Sequence, residues 1–271
     1  MMEQVVGIRF RKSEPLAYVN AGDAQLHLHD YVVVQTDQGQ ELGQVAREPQ
    51  SLVSVQPEQV LPLLVRKAAR SDLQRREELL ESEERALRLA RNKAGQLSLK
   101  MKIVDAHYTL DAARVTITFG AEGRVDFRPL LQELGAALRC RVNLRQVGER
   151  EVARLAGGVG RCGRTLCCTT WMTKFDAVGV RMAKEQELPI SAEGLAGGCG
   201  RLRCCLRFEY EQYRRVNQSL PRIGEEVDTP QGPGKVIVGH RLKETVSVHY
   251  SNDTVLDWPL AEISRYSASN S

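Results

Sequence analysis

Met101-Lys102-Ile103-Val104-Asp105-Ala106-His107-Tyr108-Thr109-Leu110, then Asp111-Ala112-Ala113, then Val115-Thr116-Ile117-Thr118-Phe119: two runs rich in β-formers flank a short turn, which predicts a strand pair. Working outward, residues 71–94 predict a helix. Ser71-Asp72-Leu73-Gln74 reads as its capping box and Gly95 as its stop. Leu73, Leu80, Leu87 and Ala94 repeat every seven residues, with Ala90 on the same side, so this stripe is expected to meet the helix's own domain. Glu81/Arg85 and Glu84/Arg88 are i,i+4 pairs suited to the wet face. Beyond the strands, Asp126 is expected to cap a second helix carrying Pro129 in its first turn. Leu130, Leu131, Leu134 and Leu138 line one face of it. Cys140 to Val147 reads as a last strand, with Val142 and Leu144 inward and Arg141, Asn143 and Arg145 outward. The order α-β-β-α-β predicts the α+β class, with a central layer domain over residues 61–148. Cys140 reads as a core thiol.

Small β-barrel-like parts are expected on both sides of this domain. Within residues 1–60, Val5 to Phe10, Leu16 to Val19, Tyr31 to Val34 and Glu41 to Val45 read as strands, with a hairpin turn at Gln38-Gly39-Gln40. His27 and His29 could share a strand face as a metal pair, but without a third ligand nearby they read as surface histidines. Within 218–266, Asp228 to Gly234 reads as a turn-rich loop before Lys235 to Val238. Strands at Thr245 to Tyr250 and Val255 to Trp258 complete an SH3-like barrel. Residues 267–271 read as a disordered tail.

The chemistry concentrates in residues 149–217. Cys162-Gly163-Arg164-Thr165-Leu166-Cys167-Cys168 and Cys199-Gly200-Arg201-Leu202-Arg203-Cys204-Cys205 repeat one pattern, each after a glycine pair, Gly157-Gly158 and Gly197-Gly198. The offset is 37 throughout (199 − 162, 204 − 167, 205 − 168), and the two copies hold six of the seven cysteines. Disulfides need an oxidising compartment, and Met1 to Gly7 has no basic stretch leading into an apolar one, so metal or redox use is expected instead. Structural zinc favours cysteine pairs two to four residues apart, and neighbouring cysteines converge poorly on one small ion. An iron–sulfur cluster accepts four thiolates at wider spacings, and it fits this pattern better than zinc does. The symmetric ligand choice is Cys162, Cys167, Cys199 and Cys204. Cys168 and Cys205 are then buried small residues or spare ligands. Between the copies, Met182 to Gln186 reads as a short helix, and after the second copy Phe208 to Val216 reads as another.

The net charge is +4, yet Arg150 to Arg215 carries twelve Lys/Arg against seven Asp/Glu. That local excess suits an anionic cluster, a nucleic-acid backbone or an acidic protein surface. No apolar run is long enough to span a bilayer, so membrane insertion is not expected and a cytoplasmic protein is. No P-loop, His-Glu-x-x-His or Gly-x-Ser-x-Gly occurs, and no histidine lies within the cysteine segment. A non-enzymatic protein is expected.

Ala121 to Arg128, followed by Arg141 to Val147, resembles the signature of the PSP-one C-terminal domain. The doubled cysteine motif with Met182-Ala183-Lys184-Glu185-Gln186 between its copies resembles the bacterial RicT (YaaT) family, over roughly residues 60 to 210. The resemblance implies an adaptor that assembles with small helical partners of the RicA and RicF type and carries [4Fe–4S] clusters held partly by these cysteines. It further implies a role as specificity factor for ribonuclease Y in mRNA maturation, and ties to sporulation, competence and biofilm formation. RNA is an expected further contact, and a zinc-stabilised RNA-binding protein is the alternative reading.

Overall fold

The computed structural model of the chain describes residues 4–11, 14–51 and 62–265, so the expected tail at 267–271 lies outside the described residues. The chain divides into two compact units, Met1–Phe175 with Gly198–Arg201, and Asp176–Gly197 with Leu202–Ser271. The fold is mixed α+β with several sheets.

The first unit opens on β1 (Gln4–Arg9), β2 (Ala17–Asn20), β3 (Tyr31–Gln35), β4 (Gln40–Ser51) and β5 (Leu63–Lys67). Hydrogen bonding follows the order β1-β2-β5-β3-β4 and β4 returns to β1, although the β2–β5 seam is one parallel pair, Asn20 with Leu63. Val6, Ile8, Val19, Val32, Val34 and Val45 fill the interior, as β-branched residues pack well on a pleated surface. Gly43 permits the close approach of two strands there: a Cβ on it would come within 2.3 Å of Ile8 Cγ2. The fifth strand is drawn from residues 63–67, beyond the expected edge at 60.

Next come α1 (Arg70–Gln96), β6 (Lys102–Tyr108), β7 (Arg114–Gly120), α2 (Arg128–Leu138) and β8 (Arg141–Val147). β6 pairs antiparallel with β7, and β8 lies parallel to β7. Leu79, Ala86, Ala90 and Ala94 of α1, Ile103, Ala106, Val115 and Ile117 of the sheet, and Leu130 and Leu134 of α2 form one core. Burying each large aliphatic chain in it contributes about 1.5–3 kcal/mol. Val142, Leu144 and Cys140 pack against that core, whereas Arg141, Asn143 and Arg145 face outward.

Three local expectations are corrected. The α1 cap is Ala69, whose N–H donates to the Asp72 carboxylate at 2.7 Å, and Ser71 lies inside the helix. The buried stripe runs through Asp72, Leu79, Glu83, Ala86, Ala90 and Ala94, leaving Leu73 37% and Leu80 50% exposed. Two carboxylates on the inner face, each with partners of its own, hide that face from a hydrophobic reading. On α2 the N-cap is Phe127, and Asp126 one residue earlier accepts the Arg128 N–H at 3.2 Å.

The first unit also holds α3 (Glu149–Ala156) and α4 (Cys167–Thr170). The second unit contains α5 (Val180–Glu185), α6 (Ala192–Leu195), α7 (Cys204–Ser219), β9 (Glu226–Thr229), β10 (Gly232–His240), β11 (Thr245–His249), β12 (Val255–Pro259) and β13 (Ser264–Arg265). Its strands form an antiparallel sheet ordered β12-β11-β10-β9-β13, whose pairing ends at β12 and β13 among the described residues. It is thus an open sheet where an SH3-like barrel was expected. Residues 228–234 are no loop: β9 turns into β10 through Pro230-Gln231, with Thr229 opposite Gly232, and Gly232 takes φ +105°. Val216 of α7 and Leu220, the residue that caps it, pack on Val227, Val236, Val246 and Val248. No helix among the described residues is long and apolar enough to cross a membrane.

Candidate functional site: two copies of a cysteine loop

The duplication seen in the sequence is also a duplication of backbone geometry. In the first copy, Val159 bridges Thr165, Gly163 takes φ +77°, the Leu166 N–H donates to Gly158 O at 3.1 Å, and a helix starts at Cys167. In the second, Ala196 bridges Leu202, Gly200 takes φ +76°, the Arg203 N–H donates to Leu195 O at 3.0 Å, and a helix starts at Cys204. Every one of these positions keeps the offset of 37 (202 − 165, 200 − 163, 203 − 166, 204 − 167). The left-handed turn in each loop requires glycine, because a side chain there would strain the backbone. In both copies the first cysteine sits on the turn, while the adjacent pair occupies the first two positions of a helix. Successive helical residues point about 100° apart, so the pair diverges: Cys168 is buried and Cys167 half-buried, while Cys162 on the turn is exposed.

Cys199, Cys204 and Cys205 are each half-buried. Cys162, Cys167, Cys168 and Cys199 fall in the first unit, Cys204 and Cys205 in the second. Within the first unit the two copies touch. Gly198 stands against Leu166, with 3.5 Å from a Cβ built on it to Leu166 Cδ2. Burial pushes the Cys168 thiol up, a hydrogen bond with Thr169 opposes this, and neighbouring Cys199 and Cys167 push it further up. Cys199 of one loop thus bears electrostatically on the Cys168 thiol of the other. A cleft of about 480 Å³ opens beside it, lined by Val152, Ala156, Gly158, Leu166 and Gly198, with Lys102 and Glu122 at its edge. Among the described residues, no group of three or more His, Cys, Asp or Glu side chains is already gathered as a metal cage. His27 and His29 are exposed and lie in a turn, where His29 takes φ +71°.

Sequence reasoning passed over a buried ionic group in the same unit. The Glu83 carboxylate accepts from Arg76 at 2.7 and 3.0 Å, from His107 Nδ1 at 2.9 Å and from the Tyr108 N–H at 2.8 Å. The other ring nitrogen of His107 lies 2.8 Å from Glu41 of β4. Burial alone would raise the Glu83 pKa, but the bonds from His107, Arg76 and Tyr108 outweigh it and hold the group at about 2. Burial likewise works against charge on His107, and Glu41 and Glu83 override it, leaving its pKa raised. The signal available was one histidine on a strand of otherwise ordinary alternation, and that signal is weak.

Residues 63–147 match the PSP1 C-terminal conserved region and residues 177–220 the third domain of PSP1-like proteins. The stage 0 sporulation protein YaaT of Bacillus subtilis is 36% identical over 265 residues, spanning 97% of this chain and 96% of its own. An uncharacterized protein of Schizosaccharomyces pombe is 27% identical over 144 residues, 43% of this chain and 19% of its own. No solved structure matches.

Proposed function

We infer that this chain, which belongs to the family of the stage 0 sporulation protein YaaT, is a non-enzymatic regulatory adaptor whose paired cysteine loops hold an iron–sulfur cluster. The observation that carries this reading is the shared loop geometry, together with Gly198 of one copy standing against Leu166 of the other. Two identical turns, each placing one thiol on a loop and another at a helix start, form a matched donor set of the soft kind that iron–sulfur clusters take. The ligands assigned are Cys162, Cys167, Cys199 and Cys204, with Cys168 and Cys205 as accessory thiols. When bound, the cluster supplies a redox- and oxygen-sensitive structural link. The chain's own part is to hold four thiolates, and the arginines Arg161, Arg164, Arg201 and Arg203 offset their negative charge. A colourless protein purified anaerobically with stoichiometric zinc would refute the cluster. Brown protein absorbing broadly near 400 nm, with iron and acid-labile sulfide, supports it; the wavelength is an order-of-magnitude expectation, roughly that of thiolate-ligated iron.

As an adaptor, the chain is assigned a regulatory part in sporulation, the process that the relative's name gives for that protein. The finer assignment is a complex with RicA- and RicF-like helical partners that steers ribonuclease Y in mRNA maturation, with effects on competence and biofilm formation. Co-purification of the tagged chain with two small helical proteins tests it, and a Cys162→Ser, Cys199→Ser double variant should lose them. Retention of both partners by that variant would separate assembly from the cysteine loops.

A further inference from the structure

A second cleft in the first unit, of about 330 Å³, lies over the face of the β6-β7-β8 sheet that turns away from α1 and α2. Side chains alternate across a strand, so Val115, Ile117, Val142 and Leu144 meet the core while Thr116, Thr118, Asn143 and Arg145 line the cleft. The register sets Thr116 between His107 and Asn143, and Thr118 between Asp105 and Arg145. Two rows of three polar groups result, on strands roughly 4.8 Å apart. Phe10 and Arg11, just after β1, and Gln38 and Glu41 at the β3–β4 hairpin add to the lining. The charged groups have partners within the protein. Arg11 pairs with Asp105 and also feels Glu14, Arg145 lies 3.2 Å from Glu151, and His107 sits between Glu41 and Glu83 at 2.8 and 2.9 Å. With His107 protonated, the lining sets three cations (Arg11, His107, Arg145) against three anions (Glu14, Glu41, Asp105), which leaves no surplus to draw a phosphate or an ammonium. The neutral groups are the ones left over. No hydrogen bond joins the side chain of Thr116, Thr118 or Asn143 to another described residue, and Thr118 is 2% exposed. A nearly buried hydroxyl without a partner is unfavourable, and one that borders a cleft can be met by a ligand.

We propose that this cleft binds a neutral polyhydroxylated ring, the chemistry shared by a free monosaccharide and the ribose of a nucleoside. The threonine hydroxyls each donate one hydrogen bond and accept two, and the Asn143 carboxamide also does both. An anion could only accept from these groups and an ammonium could only donate to them. Sugar hydroxyls match them in both directions. Thr116 and Asn143 stand side by side on neighbouring strands, and Thr118 lies about 6.6 Å further along β7, a spread that suits hydroxyls set around one ring. Phe10 supplies an apolar surface for the C–H face of that ring. The volume is at the small end for a ligand pocket, which fits a single ring better than a chain of them. The site shares no residue with the cysteine loops and holds whether those thiols bind iron, zinc or neither.

The test is saturation-transfer-difference NMR of the full chain with D-ribose, D-glucose and uridine, each titrated through about 10 mM. At least one of the three should show saturable binding. Thr116→Val and Thr118→Val keep the branched shape but remove the hydroxyl, and each should weaken that ligand about tenfold. Asn143→Ala should weaken it by a similar factor, and its exposed position keeps the test open if a threonine variant misfolds. Uridine binding more tightly than ribose assigns the ring to a nucleoside, and the reverse order assigns it to a free sugar. No transfer to any of the three overturns the proposal, as does binding indifferent to all three substitutions. Ribose 5-phosphate binding more than about tenfold tighter than ribose would also overturn it, by showing an anion site.

Discussion

The sheet-and-helix core around Ile117 and the cysteine loops solve the problem of holding a chain in place by opposite means. In the core, Ile103, Val115, Ile117, Leu130 and Leu134 exclude water from one another, and cohesion comes from buried apolar area. Around the second cysteine copy, a buried cluster comprises only Ala183, Leu195 and Leu206 among the described residues. There the shape comes from turn glycines and backbone hydrogen bonds. The lesson is that the first region draws its cohesion from buried apolar area, whereas the second draws its shape from local backbone bonds.

Core truncation tests that contrast most strongly. Ile117→Ala should lower the unfolding free energy by about 3 kcal/mol, read from urea denaturation, and a loss below 1 kcal/mol would erase the contrast. Nearly as large is the loss expected from Glu83→Gln, which leaves Arg76 and His107 buried without their carboxylate, about 3 kcal/mol. The same group sets a pH window. Glu83 has its folded pKa lowered from 4.5 to about 2, so its contribution is present above 4.5 and is lost as pH falls towards 2. His107 has its pKa raised above 6.5, so its contribution is full below 6.5 and is lost as pH rises through the raised value. Denaturation midpoints should therefore be highest between about 4.5 and 6.5 for this pair, and Glu83→Gln should flatten the acid limb.

Smaller effects sharpen the other side. Gly163→Ala and Gly200→Ala meet no atoms within 4 Å, so each should cost only the left-handed backbone strain, about 1–2 kcal/mol. The two costs should be equal in thermal unfolding if the loops are equivalent, and a clear difference would show that one copy dominates. Smallest is Leu80→Ala at a 50% exposed position, where less than about 0.5 kcal/mol is expected. Its neighbour Leu79→Ala, 3% exposed, should cost about 2–5 kcal/mol.

That neighbouring pair also shows what the sequence could tell. Alternation in Val115 to Phe119 and Val142 to Val147 made the strands legible, because only one face of each meets α1 and α2. The C-terminal half of the α1 stripe, Leu87, Ala90 and Ala94, was read correctly, but Leu73 and Leu80 were misplaced, since Asp72 and Glu83 occupy inner sites of the first half. Of their partners, Arg76 stands two turns back on the same helix and Arg66 on β5, while His107 comes from β6, and helical spacing carries no trace of it. The cysteine repeat was plain, and its recurring glycines foretold the two matching turns. The approach of Gly198 to Leu166 was not legible, because it depends on a few residues of one copy packing with the other.

The matched conserved region begins at Leu63, which is also the first residue of β5. That strand pairs with β3 and β2, and Glu41, well upstream, clasps the His107 imidazole. A recombinant fragment trimmed to 63–147 would hence carry an orphan strand edge and a half-neutralised imidazolium. Borders of shared ancestry and borders of autonomous assembly part company at this point, and expression trials should start from the N-terminal ring.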